Sequence, residues 1–214
     1  MKKFLSVVVT AVLVLGVLSL VSCKKSSTTS PTPVATATPS TTTINFTAAS
    51  DVSLVKINDD PTAAAFTAVS HDTTTTDADG GTGCASVTAS FVYATAADKK
   101  GQISVVFGTT AEKDLTGKTI SFKIYVPTAM AALNGNYGIQ IQAFSDINGN
   151  PYTYADGGWN NFPTTAGWHT ITWSPTTTAG AWDVSKITKI ALQITETSAA
   201  GDLTPTILFD DITY

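Results

Sequence analysis

The residues best suited to chemistry in this chain are aromatic and amide side chains rather than acids, bases or thiols. The stretch NGNPYTYADGGWNNFPTTAGWHTITW, residues 148 to 173, holds three of the four tryptophans, two tyrosines and a phenylalanine. Trp159 stands between ADGG and NNFP, so turn formers surround it and no strand alternation includes it. A large aromatic on a loop is costly to expose unless it has a use. Tyr152 and Tyr154 precede it in what reads as the same loop. Upstream, Tyr125 and Lys123 in one alternating run, and Gln140, Gln142 and Phe144 in the next, point to the outward face of two strands that are expected to be neighbours. Flat rings stack on an apolar ring surface, while amide and ammonium groups hydrogen-bond to hydroxyls around its rim. Such a set holds a ligand without breaking a bond. Outward glutamines and lysines equally suit a sheet face that is merely solvated.

Other chemistries find little support. The only glutamates are Glu112, beside a turn, and Glu196, at a strand end, and hydrolysis of a glycosidic bond needs two carboxylates facing across a cleft. His71 and His169 are the only histidines, and no G-x-S-x-G elbow occurs. Beyond Cys23 the one remaining cysteine is Cys84, so neither an intramolecular disulfide of the processed chain nor a Cys/His metal site can form, and Cys84 reads as a small buried side chain. Asp146-Ile147-Asn148-Gly149-Asn150 matches the first half of a calcium loop. Pro151 then stands where glycine is needed and no glutamate closes the loop, so a hairpin turn is expected. The chain is expected not to be an enzyme. With 12 basic residues, all lysine, against 16 acidic ones, it has no basic stripe and no arginine fork, which excludes nucleic acid as a partner.

The elements that must position these side chains read as β-strands. TISFKIYV sets Ile120, Phe122, Ile124 and Val126 against Ser121, Lys123 and Tyr125; GIQIQAF sets Ile139, Ile141 and Ala143 against Gln140, Gln142 and Phe144. ITKIALQITE repeats the pattern with Ile190, Leu192 and Ile194 against Lys189, Ala191, Gln193 and Thr195. About ten short antiparallel strands, separated by Gly, Asp, Asn and Thr clusters, predict an all-β fold: a β-sandwich of jelly-roll type. Only residues 127 to 135 look like a helical turn. Trp168 and Trp173 fall at a strand start or in strand phase and are expected in or against the core.

The N-terminus fixes an expected compartment. Lys2 and Lys3 precede an apolar run from Phe4 to Val21, the layout of a secretory signal peptide over 1 to 22. Leu20-Val21-Ser22-Cys23 resembles the bacterial lipobox, which implies that Cys23 is lipidated and becomes the first mature residue. Acyl chains on Cys23 would anchor the chain at a membrane, each buried CH2 contributing about 0.8 kcal/mol. Residues 23 to 43 are Ser/Thr/Pro-rich and read as a tether. Residues 44 to 214 suit one domain, expected to be monomeric. Lys24 after the cysteine points to an outer membrane or cell surface.

Five segments now occur in an order that carries a resemblance: DLTGKTISFKIYVP (114 to 127), YGIQIQAFSD (137 to 146), GWHTITWSP (167 to 175), WDVSKITKIALQITE (182 to 196) and TILFDDITY (206 to 214). The series resembles the galactose-binding-like β-sandwich of carbohydrate-binding modules, well over 114 to 214 and through INFTAASDVSLVKI alone before that. The resemblance implies a glycan ligand in a cleft on a concave sheet, which the rings and amides above would stack against and hydrogen-bond. It also implies a structural calcium held by Asp210, with Asp51 replacing the family's opening-strand glutamate. The fold serves other binders too; a surface adhesin or assembly lipoprotein binding a protein partner, and a glycoside hydrolase, are the alternatives.

Overall fold

A computed structural model of the chain describes residues 40–76, 79–147, 150–176 and 182–214, with the backbone alone at 146, 147 and 150–152. The signal peptide, Cys23 and the tether as far as residue 39 lie outside these residues, as do Asn148 and Gly149 of the half-matched calcium loop. Twelve strands are present among the described residues: β1 (Thr43–Ile44), β2 (Val55–Ile57), β3 (Phe66–Thr76), β4 (Thr82–Ala89), β5 (Lys100–Val106), β6 (Ile120–Val126), β7 (Tyr137–Ile147), β8 (Asn150–Asp156), β9 (Asn160–Asn161), β10 (Gly167–Trp173), β11 (Ile187–Glu196) and β12 (Thr206–Thr213). One short helix, α1 (Thr128–Ala132), falls where the helical turn was expected.

Two antiparallel sheets form. The first runs β10-β6-β12-β4-β3, with β1 also on β12; the second runs β2-β5-β11-β7-β8, with β9 also on β7. The expected all-β sandwich is thus what the alternation builds. Ile120, Phe122, Ile124 and Val126 of β6 are fully buried, while Ser121, Lys123 and Tyr125 face outward and stay partly exposed. From the second sheet Ile139, Ile141 and Ala143 of β7 and Ile190, Leu192 and Ile194 of β11 close the core. Trp182 joins it and Trp173 packs against it, their rings stacked 6.4 Å apart. Cys84 is buried, as expected. Pairing begins just before the anticipated boundary, since the Thr42 and Tyr214 backbones exchange hydrogen bonds of 2.9 and 3.0 Å.

Elements also form where the sequence reading placed none. Residues 49–54 form a 3-10 turn ahead of β2, because the Asp51 carboxylate accepts the Ala48 N–H at 3.0 Å and caps it. Residues 150–156, read as a loop, form the edge strand β8. Pro151 is its second residue, which an edge strand tolerates.

One buried acid stands apart from the sandwich's apolar interior. Glu196 is 1% exposed, and burial first, with the neighbouring Asp202 carboxylate second, pushes its carboxyl from 4.5 up to about 7. A carboxyl whose pKa rises on folding favours the protonated folded state. The stability this brings is complete below about pH 4.5 and is lost as pH rises through 7. Urea unfolding in metal-free buffer is therefore expected to show a loss on the order of 2 kcal/mol across that window. Glu196→Gln should flatten the profile; an unchanged slope in that variant would place the titration elsewhere.

Candidate functional site

The outward face of the second sheet is polar yet buried. Gln102 and Ser104 are fully buried, and Gln140, Gln142 and Gln193 are 4 to 5% exposed. Register explains how they meet. Gln193 of β11 lies between Gln102 of β5 and Gln140 of β7, and Ala191 lies between Ser104 and Gln142. The small Ala191 leaves room for the long amides on either side to converge. Gln102 Nε2 donates to Gln142 Oε1 at 2.9 Å, Gln142 Nε2 to Gln193 Oε1 at 2.9 Å, Gln140 Nε2 to the same oxygen at 3.1 Å, and Gln193 Nε2 to Thr195 Oγ1 at 3.1 Å. Each amide fixes its neighbour, so the floor is held in one arrangement.

Aromatic rings rise at the edge of this floor. Phe144 is held between two groups: the Tyr154 ring opposite it across the β7–β8 pair, with centroids 5.4 Å apart, and the Lys189 ammonium, 3.9 Å above its centroid. Lys189 is in turn anchored by Asp59 at 3.2 Å. These two neighbours account for the 4% exposure of Phe144, against 49% for Tyr154. Phe144 thus lines the groove packed between Tyr154 and Lys189.

Among the described residues Trp159 is the most exposed large apolar side chain, at 56%. A turn places it: Asp156 Oδ1 accepts the Gly158 N–H at 2.9 Å, Gly158 takes the left-handed conformation at φ 73°, and β9 then returns to pair with β7 at Gly138 and Ile139. The indole lies over Gly138, where a methyl group would stand 3.0 Å from Cε3. Glycine at 138 thus lets the ring lie close against the strand. Trp159 borders two depressions. One, of about 230 Å3, is lined by the glutamine floor, Tyr154, Asp156, Asp60 and Lys100; the other, of about 310 Å3, by Tyr137, Asn160, Asn161, Thr195 and Thr197. The result is a groove with a fixed hydrogen-bonding floor and exposed flat rings.

The structure thus brings together Trp159, Tyr154, Gln140, Gln142 and Phe144 of the expected set. It separates Tyr125 and Lys123 from them: β6 belongs to the first sheet and β7 to the second, so those two side chains face outward from the opposite sheet. Alternation tells which residues point outward but not from which layer. Lys123 is engaged by Asp79 and Asp211, whose hydrogen bonds raise its pKa, and the Tyr125 ring meets Trp168 edge-on at 5.6 Å. Trp168, expected near the core, lies on this outer face and donates from Nε1 to Thr76 O. Tyr152 lies in β8, two residues from Tyr154. Gln102 and Gln193 were not anticipated, although the outward phase of Gln193 in ITKIALQITE was the available signal.

Asp51 and Asp210, the calcium pair implied by the resemblance, each accept a backbone N–H. Asp51 caps Ala48, and buried Asp210 accepts the Asp211 N–H at 2.8 Å. Among the described residues no three His, Cys, Asp or Glu side chains gather into a group that could hold a metal ion.

No protein-family model matches the chain, and no curated protein matches it. Solved structures do. CBM27-1 of Caldicellulosiruptor saccharolyticus, in complex with mannohexaose, superposes with a TM-score of 0.56 at 13% identity, covering 82% of this chain and 97% of that one. The CBM22-1 xylan-binding domain of Paenibacillus barcinonensis Xyn10C gives 0.38 at 13% identity over 70% and 82% of the two chains. The K2 cleaved adhesin domain of Lys-gingipain gives 0.42 at 13% identity over 81% and 98%. The fold is the β-sandwich seen in carbohydrate-binding modules.

Proposed function

We propose that this protein is a non-catalytic carbohydrate-binding protein, tethered to a membrane through lipid on Cys23 and exposed at an outer membrane or cell surface. The observation that carries the binding reading is the groove itself. A 56%-exposed Trp159 and a 49%-exposed Tyr154 stand beside a floor of interlinked glutamines. The rings offer flat surfaces for the C–H face of a pyranose, and Asp60, Asp156 and Lys100 supply charged partners for its hydroxyls. Tryptophan fluorescence and gel retardation against a panel of glucans, mannans and xylans test it. A shift with at least one glycan is expected, and silence across the panel together with capture of a protein partner would favour the adhesin reading.

The anchor has its own test. Cys23→Ser is expected to move the protein from the membrane fraction to the soluble one and to abolish labelling by radioactive palmitate, while leaving glycan binding intact. Continued labelling would assign the lipid to another position. The calcium expected at Asp210 and Asp51 is tested by melting with and without chelator. A fall in Tm that Asp210→Asn abolishes would support that site, and an unchanged Tm would remove it.

A further inference from the structure

The two depressions that Trp159 borders extend in different directions. The first crosses the strands, from Tyr154 and Asp156 on β8, over the glutamines of β7 and β11, to Lys100 on β5. The second lies over the ends of β7 and β11. Register gives the offset: Gln193 pairs with Gln140 under the first depression, and two residues further on Thr195 pairs with Gly138 under the second. Two residues of strand span about 7 Å. The second depression therefore lies to one side of a ligand that crosses the floor, displaced along the strand axis. One hydrogen-bond network serves both. The amide chain that begins at Gln102 ends where Gln193 Nε2 donates to Thr195 Oγ1 at 3.1 Å, and Thr195 lines the second depression.

The lining of the second depression suits a single sugar ring. Its volume of about 310 Å3 is at the lower end for small-ligand pockets. The indole and the Gly138 backbone give it an apolar side, while the Asn161 amide and the Thr197 hydroxyl are exposed around it as hydrogen-bonding groups. Asn161 is held there because β9 pairs with Gly138. A polysaccharide backbone lying across the strands would have to bend sharply to enter this depression. A substituent on that backbone enters it directly, because a branch leaves the chain sideways. We propose that the groove binds a branched polysaccharide, its backbone across the glutamine floor and one side-chain sugar in the second depression, with Trp159 at the branch point. The proposal rests on the glycan-binding reading and narrows it to substituted backbones.

The test is isothermal titration with oligosaccharide pairs of matched backbone length, one linear and one branched: mannan with galactomannan fragments, xylan with arabinoxylan, and glucan with xyloglucan. In the pair whose backbone fits, the branched member is expected to bind about 10-fold tighter, the effect of one or two added hydrogen bonds. Gly135→Leu plugs the second depression. A Cβ at Gly135 meets nothing within 4 Å and its φ is not left-handed, so the leucine is accommodated without strain. That variant should lower the branched member to the affinity of the linear one. Asn161→Ala, at an exposed position, should remove part of the same gain. A thermal melt of each variant checks that it is folded. Equal binding of linear and branched members, or a branched gain that survives Gly135→Leu, would overturn the proposal and leave glycan binding standing. A gain from lengthening a linear oligosaccharide that Gly135→Leu removes would assign the depression to the backbone, which also overturns it. Silence with every pair would overturn the glycan reading itself.

Discussion

Trp159→Ala is expected to weaken glycan binding by at least about 30-fold, the loss that follows when an aromatic anchor contributing about 2 kcal/mol is truncated. The expectation rests on how little else the indole does. It is 56% exposed, lies against Gly138, and joins no core cluster. Stability should therefore change by less than about 1 kcal/mol, as for other exposed positions. Trp159→Phe should recover part of the affinity, since a smaller flat ring remains. Tyr125→Ala, on the opposite sheet, should leave binding unchanged. Isothermal titration with the best glycan of the panel, beside a thermal melt of each variant, separates the outcomes. If Trp159→Ala binds like the native protein, the groove on the second sheet is not the site. If Tyr125→Ala alone loses binding, the ligand sits on the first sheet.

That contrast also shows what the sequence could and could not carry. Period-two alternation set each strand's inward face correctly, because in β6, β7 and β11 the burial of large apolar side chains decides register. It could not assign strands to layers. β6 and β7 are adjacent in sequence but separated by α1, and the chain crosses from one sheet to the other between them. Tyr125 and Gln140 consequently shared a phase but not a surface. β8 was missed for a related reason: an edge strand with one partner needs no apolar run, and Pro151 with the Asn and Gly before it read as a turn. The tyrosines at 152 and 154, spaced by two, were the strand signal inside that segment. Trp159 was legible because the turn formers around it are what the structure uses, namely an Asp156-capped bend and a left-handed Gly158. The glutamine floor was half legible. Gln140 and Gln142 stood out as a pair, while Gln102 and Gln193 became meaningful only once β5, β11 and β7 were known to be side by side.

Gly101→Ala is expected to destabilise the domain by about 3 kcal/mol or more, at the upper end of what overpacking costs. Gly101 lies in β5 opposite Ile194, on the inward face. A methyl group there would come within 2.3 Å of Phe66 Cδ1 and Cε1. The Phe66 ring cannot swing aside. It is 1% exposed, and it packs edge-on against Phe91 at 6.2 Å and Phe209 at 6.0 Å. Its backbone is held too, since the Asn58 amide donates to the Phe66 carbonyl. The strand must then move, and it carries Gln102 as its next residue. Gln102 N–H reaches Asn58 Oδ1 at 3.4 Å, and its side chain begins the amide chain of the groove. The same substitution should therefore lower glycan affinity in whatever protein remains folded, without touching the ligand. Replacing Phe66 by Leu in the Gly101→Ala background should restore part of the stability by yielding ring volume. Urea midpoints of the two single variants and the double variant supply the comparison. Additive losses would show that the Gly101–Phe66 contact is not the source of the strain.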